Sequence, residues 1–343
     1  MELSQRKQKI LAAVVEQYIR TGEPVGSKAL LNSLDFSVSS ATIRNEMAEL
    51  ASMGLLEQPH TSAGRVPTNL GYRYYVDHLM GVRGLDEALK RRIEAGVTMR
   101  NASPEAILER ASDFLADMTD CAAVSTTPSD ENAVIKRIEF VPVGTRTGMI
   151  AMLTSTGIIK SKVCRSDTDL NASLIEKFYN ISEASFIGMP LDEIDPATVQ
   201  TLAASTGADM LTMIPFISAV SDLATEAART EVMLGGQSNL LHYGGDYANT
   251  AYELMEFLRR REPLSRLLSN DKDGVQVRIG NENKYKQLEN SSVITASYTI
   301  DGDKKGSIGI IGPTRMDYAG LIPSVKYLTD LVGKMIEQTL NED

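Results

Sequence analysis

One change of period inside the first seventy residues limits what this chain can fold into. From Ser39 to about Met53, apolar side chains recur at Ile43, Met47, Leu50 and Ala51, the spacing of one helix face, and Gly54 closes the run. The pattern then shortens abruptly to two strand-like pieces, Leu55-Leu56-Glu57 and Arg65-Val66, around the tip Gln58-Pro59-His60-Thr61-Ser62-Ala63-Gly64. Proline and glycine within a polar tip mark a hairpin. Upstream, Ser4 can cap an amphipathic helix carried by Ile10, Leu11, Val14, Val15, Tyr18 and Ile19, which Gly22 and Pro24 stop. Ser27 stands where it can cap a short second helix through Ala29, Leu30 and Leu34, before the turn Asp35-Phe36-Ser37-Val38. Three helices followed by a hairpin is the order of a winged helix-turn-helix.

The outward face of the third helix carries Ala41, Asn45, Ala48 and Ser52, flanked by Thr42 and Arg44. Short side chains allow a helix to approach the floor of a major groove about 12 Å wide. There Arg can pair with guanine, Asn with adenine, and Ala or Thr methyls can touch the thymine methyl. The base-facing residues are therefore expected to be Ala41, Thr42, Arg44 and Asn45, with Ser40 at the helix start. Ser27, His60, Thr61, Ser62 and Arg65 offer the donors that phosphate oxygens accept. A plain three-helix bundle with a small-residue packing face accounts for the helices alone; the hairpin distinguishes the two.

Charge must be read by segment for this reading to hold. The 343 residues carry a net charge of −10, which argues against nucleic acid at first sight. Residues 1–80, however, hold eight basic and eight acidic residues, so the whole deficit lies beyond residue 80. A neutral head on an acidic body permits a local basic face. The length predicts two or three domains, and 43% hydrophobic residues suffice for ordinary cores.

Chemistry and membranes find little support. The two cysteines, Cys121 and Cys164, exclude a disulfide scaffold and a thiolate-built metal site, and three scattered histidines make a His centre improbable. Gly306, Gly309 and Gly312 recur within a strand pattern and do not match a phosphate loop. No spacing of carboxylates singles out an acid/base pair. We therefore expect neither an enzyme nor a cofactor or metal. The apolar run Ile10 to Val15 is too short for a secretory signal, and Met210 to Ser221 is too short to span a bilayer, so a cytoplasmic protein without membrane contact is expected.

Beyond the head, Thr68 can cap an aromatic helix through Tyr75, Val76 and Leu79, and helical stretches follow at about 86–100 and 103–119. Strand-like runs come next, Ile135 to Val143, Gly148 to Thr154 and Gly157 to Cys164. A second strand block covers Gly274 to Gly280, Ser292 to Ile300 and Lys305 to Gly312, with Asp301-Gly302 as a hairpin signal and a helix from about Ser324 to Leu340 after it. Two half-sheets around a helical middle predict one α+β domain with an insertion. Within that middle, Met210, Met213, Ile214, Phe216, Ile217, Val220 and Leu223 form a dense apolar stripe, readable either as a local core or as a self-association face.

Three segments make a family resemblance specific. Val25-Gly26-Ser27-Lys28, Ser39 to Met47 and the unusual run Pro59 to Thr68, followed by Gly71-Tyr72-Arg73-Tyr74-Tyr75-Val76, resemble the HrcA family of bacterial heat-inducible repressors of chaperone genes. The likeness runs along the whole chain but is sharp over about the first quarter. It implies an α+β multidomain protein: a winged-helix DNA-binding domain at 1–80, a GAF-like domain at 81–166 and 251–343, and a mostly helical dimerising insertion at 167–250. It also implies a homodimer on double-stranded DNA with an inverted repeat, and a chaperonin that keeps the repressor active. The alternative is a winged-helix regulator whose GAF-like domain senses a small metabolite.

Overall fold

Ser4 opens the first helix as its side chain predicts, accepting the Lys7 amide at 3.4 Å, and α1 (Gln5–Thr21) buries Ile10, Leu11, Val14 and Val15. It ends at Gly22, whose φ of 71° is the left-handed conformation that favours glycine. The computed structural model describes residues 3–31, 33–34, 38–60, 63–81, 83–99, 102–128, 132–206, 210–243, 247–268, 274–300, 302 and 304–341.

The expected short helix after Ser27 is a series of turns instead. Amides of Ala29, Leu31 and Ser33 bond to carbonyls three residues back, and the described residues there form turns, not an α-helix. The Ser27 hydroxyl sits 2.9 Å from that of Ser40, so it tethers the next helix rather than capping its own. So short a segment also gains too few bonds to offset nucleation.

The recognition-type helix α2 (Ser40–Ser52) is capped by Ser39, which accepts the Thr42 amide at 3.1 Å, and it buries Ile43, Met47 and Leu50. Strands β1 (Leu56–Glu57) and β2 (Val66–Pro67) pair antiparallel. Thr68 caps α3 (Asn69–Tyr74), accepting the Gly71 amide at 3.0 Å, and a π-helical turn carries the chain on through Tyr75–Leu79.

The body begins with α4 (Glu87–Val97) and α5 (Pro104–Thr119), capped by Asp86 and Ser103. Its central sheet is five-stranded and antiparallel. The strands are β3 (Ala122–Thr126), β7 (Val232–Gly235), β8 (Val275–Ile279), β9 (Ser291–Ile300) and β10 (Lys304–Pro313), in the order β7-β3-β10-β9-β8. One face, including Ile294, Tyr298, Ile308 and Ile310, packs on α5 and the long α11 (Tyr318–Asn341). The other face, including Val124, Val293 and Ile311, is covered by α9 (Ala248–Leu258) and α10 (Arg261–Leu268).

The strands at 135–165 do not join that sheet, contrary to the sequence pattern. β4 (Ile135–Pro142), β5 (Thr147–Thr154) and β6 (Ile159–Arg165) form a separate sheet, ordered β4-β5-β6. Two strands the sequence pattern did not yield complete the five-stranded sheet in their place. One is β3, buried at all five positions and therefore without a period of two; the other is β7, only four residues long.

The small sheet has its own core with α6 (Ala172–Ser185), α7 (Pro196–Thr206) and α8 (Met210–Ala227). That arrangement corrects the reading of the α8 stripe as an interface. Met213, Phe216, Ile217, Val220 and Leu223 are buried against the sheet, and Phe216 meets Phe140 at a ring-centre distance of 4.9 Å. Ile214 is half-buried, and the Met210 side chain lies outside the described residues. Side chains covered by their own chain are not available to a partner.

The head is fastened to the body through α3. Tyr72 is fully buried, 6.0 Å ring to ring from Tyr318 at the start of α11, and one apolar cluster runs from α1 through Tyr72 and Tyr75 into α11. Arg73 donates through Nε to Glu282 at 2.7 Å and through its terminal nitrogens to Glu282, to the Val277 carbonyl and, at 3.1 Å, to Asp77. At its far end α11 reaches the turn between β5 and β6, where Leu340 packs on Gly157.

Burial by itself would push the Glu282 carboxyl up, but Arg73 and the Ile279 amide outweigh it and hold the group below the usual carboxylate range. A depressed carboxyl stabilises the fold above its unfolded pKa of about 4.3, and that contribution fades as pH falls through the lower folded value. Arg73→Ala should therefore cost about 1–2 kcal/mol at neutral pH, the lower part of the range because water screens a pair this exposed. It should also flatten the loss of stability below pH 4.3. Urea melts of both proteins from neutral pH to pH 3 check this; an unchanged acid limb would show that the pair does not hold the head.

Candidate nucleic-acid interface

The exposed face of α2 carries Ala41, Arg44, Asn45 and Ala48. Thr42 is half-buried, its hydroxyl 2.9 Å from that of Ser39, so the helix cap occupies the polar end of that side chain. Behind this face two acids are neutralised from α1. The Lys7 ammonium lies 2.8 Å from Glu49 and 3.5 Å from Glu46, and Arg6 lies 3.8 Å from Glu46. The hydrogen bond that Lys7 donates to Glu49, more than any other contact, holds Lys7 above the usual lysine range. Repulsion of a polyanion by α2 is thereby reduced, and the amino end of the helix presents its positive dipole beside Ser40.

The wing is anchored to the turn before α2. Val25 and Arg65 exchange two backbone hydrogen bonds, each 2.9 Å, so the turn adds an edge to the β1–β2 hairpin. Glycine is needed at 64 for this approach, since an added Cβ would stand 2.4 Å from the Val25 carbonyl. At the tip, the Ala63 amide donates to the His60 carbonyl at 2.8 Å and Gln58 Nε2 to the Ala63 carbonyl at 3.1 Å.

Between α2, the turn and the wing lies a recess of about 390 Å³, lined among others by Ser27, Arg44, Gln58 and Arg65. The fold thus brings Ser27, Arg44 and Arg65 around one hollow, with Ser40 held at its edge by the Ser27 hydroxyl and Ala41 and Asn45 on the adjoining exposed face. Ser27 is buried and bonded to Ser40, so of the pair Ser40 is the less enclosed. His60 is exposed on the tip, while Thr61 and Ser62 lie outside the described residues. Gln58 and Val25 were not assigned a role from the sequence. The role of Val25 shows only in its bridge to Arg65, which no local pattern signals, and that of Gln58 in its bond across the wing tip to Ala63.

Elsewhere, Cys121 and Cys164 are buried, and burial pushes both thiols above their usual range, away from nucleophilic character. No described helix is long and apolar enough to cross a membrane.

Comparison with known proteins places this geometry. The family model described as "Winged helix-turn-helix transcription repressor, HrcA DNA-binding" matches residues 2–77, and "HrcA protein C terminal domain" matches residues 105–322. The heat-inducible transcription repressor HrcA of Acetivibrio thermocellus is 32% identical over 349 aligned positions, covering 100% of this chain and 99% of that protein. Its counterpart in Natranaerobius thermophilus is 34% identical over 335 positions, 96% of each chain. A crystal structure of a hypothetical protein at 2.2 Å resolution shares the fold, with a TM-score of 0.69, 24% identity, and coverage of 98% of this chain and 100% of that one. A head and a body that both match, together with identity above 30% along nearly the full length of these relatives, establish that the chain belongs to the HrcA family of transcription repressors.

Proposed function

We propose that this repressor acts on heat-shock chaperone genes, in the cytoplasm, as a homodimer that seats two winged helices on an inverted-repeat operator. The observation that carries the reading is the recess where the exposed face of α2 and the anchored wing meet, with Arg44 and Arg65 on its wall. In this reading Ala41, Thr42, Arg44 and Asn45 face base edges. Ser27, Ser40, His60, Thr61, Ser62 and Arg65 serve phosphates or the groove rim. Asn45→Ala should cost about 1–3 kcal/mol and relax preference at one base position, whereas Arg65→Ala should weaken all sequences alike and flatten the salt dependence. Selection of bound fragments from random DNA, followed by titration at several salt concentrations, separates these outcomes. Intact base preference in Asn45→Ala sinks the assignment of α2.

A two-fold operator asks for a two-fold protein. The support for one lies on the outer face of the small sheet, not on α8. There Val141, Met149 and Val163 stand side by side across three strands, with Leu153 beside Ile159. Val141 is 42% exposed, Val163 61% and Ile159 64%. A second copy of this chain is the occupant that symmetry requires. The insertion is accordingly best drawn over about 133–228, with the GAF-like domain on either side. Val163→Asp should yield folded monomers that have lost tight operator binding, while Ile217→Asp, which buries a charge, should fail to fold. Sedimentation and circular dichroism of the two variants read the difference, and a Val163→Asp protein that stays dimeric moves the interface elsewhere.

Chaperonin control is the remaining part of the proposal, and the family resemblance supports it. The small sheet leaves apolar side chains uncovered until a second copy arrives, the kind of surface a chaperonin can hold without a sequence motif. A partner that sustains the active state shifts its population, and loss of the partner reverses the shift. Freshly refolded protein should bind operator better with chaperonin, at constant salt, and lose that gain when an unfolded competitor is added. Full activity without chaperonin overturns this part alone. The metabolite-sensing alternative gains nothing from the five-stranded sheet, whose two faces are both filled by helices.

A further inference from the structure

The junction between head and body contains a second recess, distinct from the one facing DNA. It encloses about 450 Å³ where the last turns of α1 meet α4, the end of α5 and the start of α11. Ile19, Leu89 and Leu321 make part of its wall apolar, and Arg92, Arg315 and Asp120 put charges on it. Asp317 also borders it, but that carboxylate already lies 3.3 Å from Arg83. Arg315 is half-buried and its guanidinium packs over Gly22, where an added Cβ would come within 2.6 Å of a terminal nitrogen. Among the described residues, neither Arg315 nor Arg92 has a hydrogen-bonded or ion-paired partner.

A half-buried guanidinium without a counter-ion loses hydration and gains nothing in return. Among the described residues, two cations and one carboxylate, Asp120, border the cleft without an ion-pair partner, which leaves a single positive charge in excess. The volume falls within the range of roughly 300–1,000 Å³ usual for small-molecule sites, where apolar walls surround a few placed polar groups. We propose that this cleft binds an amphipathic monoanion, an apolar skeleton bearing one carboxylate or sulfonate. The charged end would rest on Arg315 and Arg92, and the skeleton on Ile19, Leu89 and Leu321. A dianion such as a phosphate ester fits less well, because Asp120 and Asp317 border the same space. Since Ile19 belongs to the head and the other walls to the body, the ligand touches both, which goes beyond the reading of DNA by α2.

The test uses the full chain and no DNA, so its outcome is independent of the operator reading. The probe is 8-anilino-1-naphthalenesulfonate, two apolar ring systems with one sulfonate, followed by fluorescence. Binding should saturate at one probe per chain and be reversed by decanoate but not by decanol, which has the same skeleton without the charge. Arg315→Gln should lower probe affinity about tenfold or more, the scale of one charge-assisted hydrogen bond, and Arg315→Lys should retain most of it. Arg92→Gln provides a second variant should Arg315→Gln fail to fold, as judged by circular dichroism and melting. Unsaturable binding, equal displacement by decanol, or wild-type affinity in a folded Gln variant each overturns the proposal.

Discussion

The attachment of the head through Arg73 is the contact on which the rest of the architecture depends. Its planar fork reaches Glu282, the Val277 carbonyl and Asp77 at once, which a lysine's single ammonium could not do in the same geometry. Beside it, Tyr72 is buried so fully that its hydroxyl has no hydrogen-bond partner among the described residues, and burial pushes its ionisation well above the usual tyrosine range. An unpartnered buried hydroxyl is unfavourable. Its persistence indicates that ring packing against Tyr318 fixes the position, with Arg73 supplying direction. Apolar contact holds head and body together, and the charged fork sets the angle.

Much of the head was legible because its elements are local. Ser4, Ser39 and Thr68 cap the helices they precede, and Gly22 ends α1, each through bonds spanning three or four residues. The turn after Ser27 was misread because its hydroxyl bonds thirteen residues away, to Ser40. The wing anchor was invisible for the same reason, Val25 and Arg65 being forty residues apart. In the body, alternation located the exposed-edged strands, but β3 has both faces covered and so shows no alternation at all. The grouping of strands into sheets follows from which core each inner face meets, and periodicity carries no information on that.

The insertion illustrates a general limit on reading stickiness from hydrophobicity. The densest apolar stripe, on α8, is taken up by the chain's own sheet, with Phe216 against Phe140 and Ile217 fully buried. The face left uncovered is milder: β6 mixes Ile159 and Val163 with Ser161 and Arg165, a pattern that reads as an ordinary edge strand. A helix apolar around most of its circumference marks the inside of a unit, whereas interfaces between separately folded units are mixed.

The long last helix joins these parts mechanically. From Tyr318, against the head, to Leu340, against the β5–β6 turn at Gly157, the chain covers all but the last of the 24 residues of α11, or about 35 Å at 1.5 Å per residue. This helix acts as a ruler, with one end against the turn of the small sheet and the other carrying the head. Pro323 deprives the Ala319 carbonyl of its intrahelical donor, so the ruler's weak point lies beside the head rather than at the small sheet. Small changes in the angle of the head can then be absorbed at its own end of the helix, while the distance from head to small sheet stays stiff.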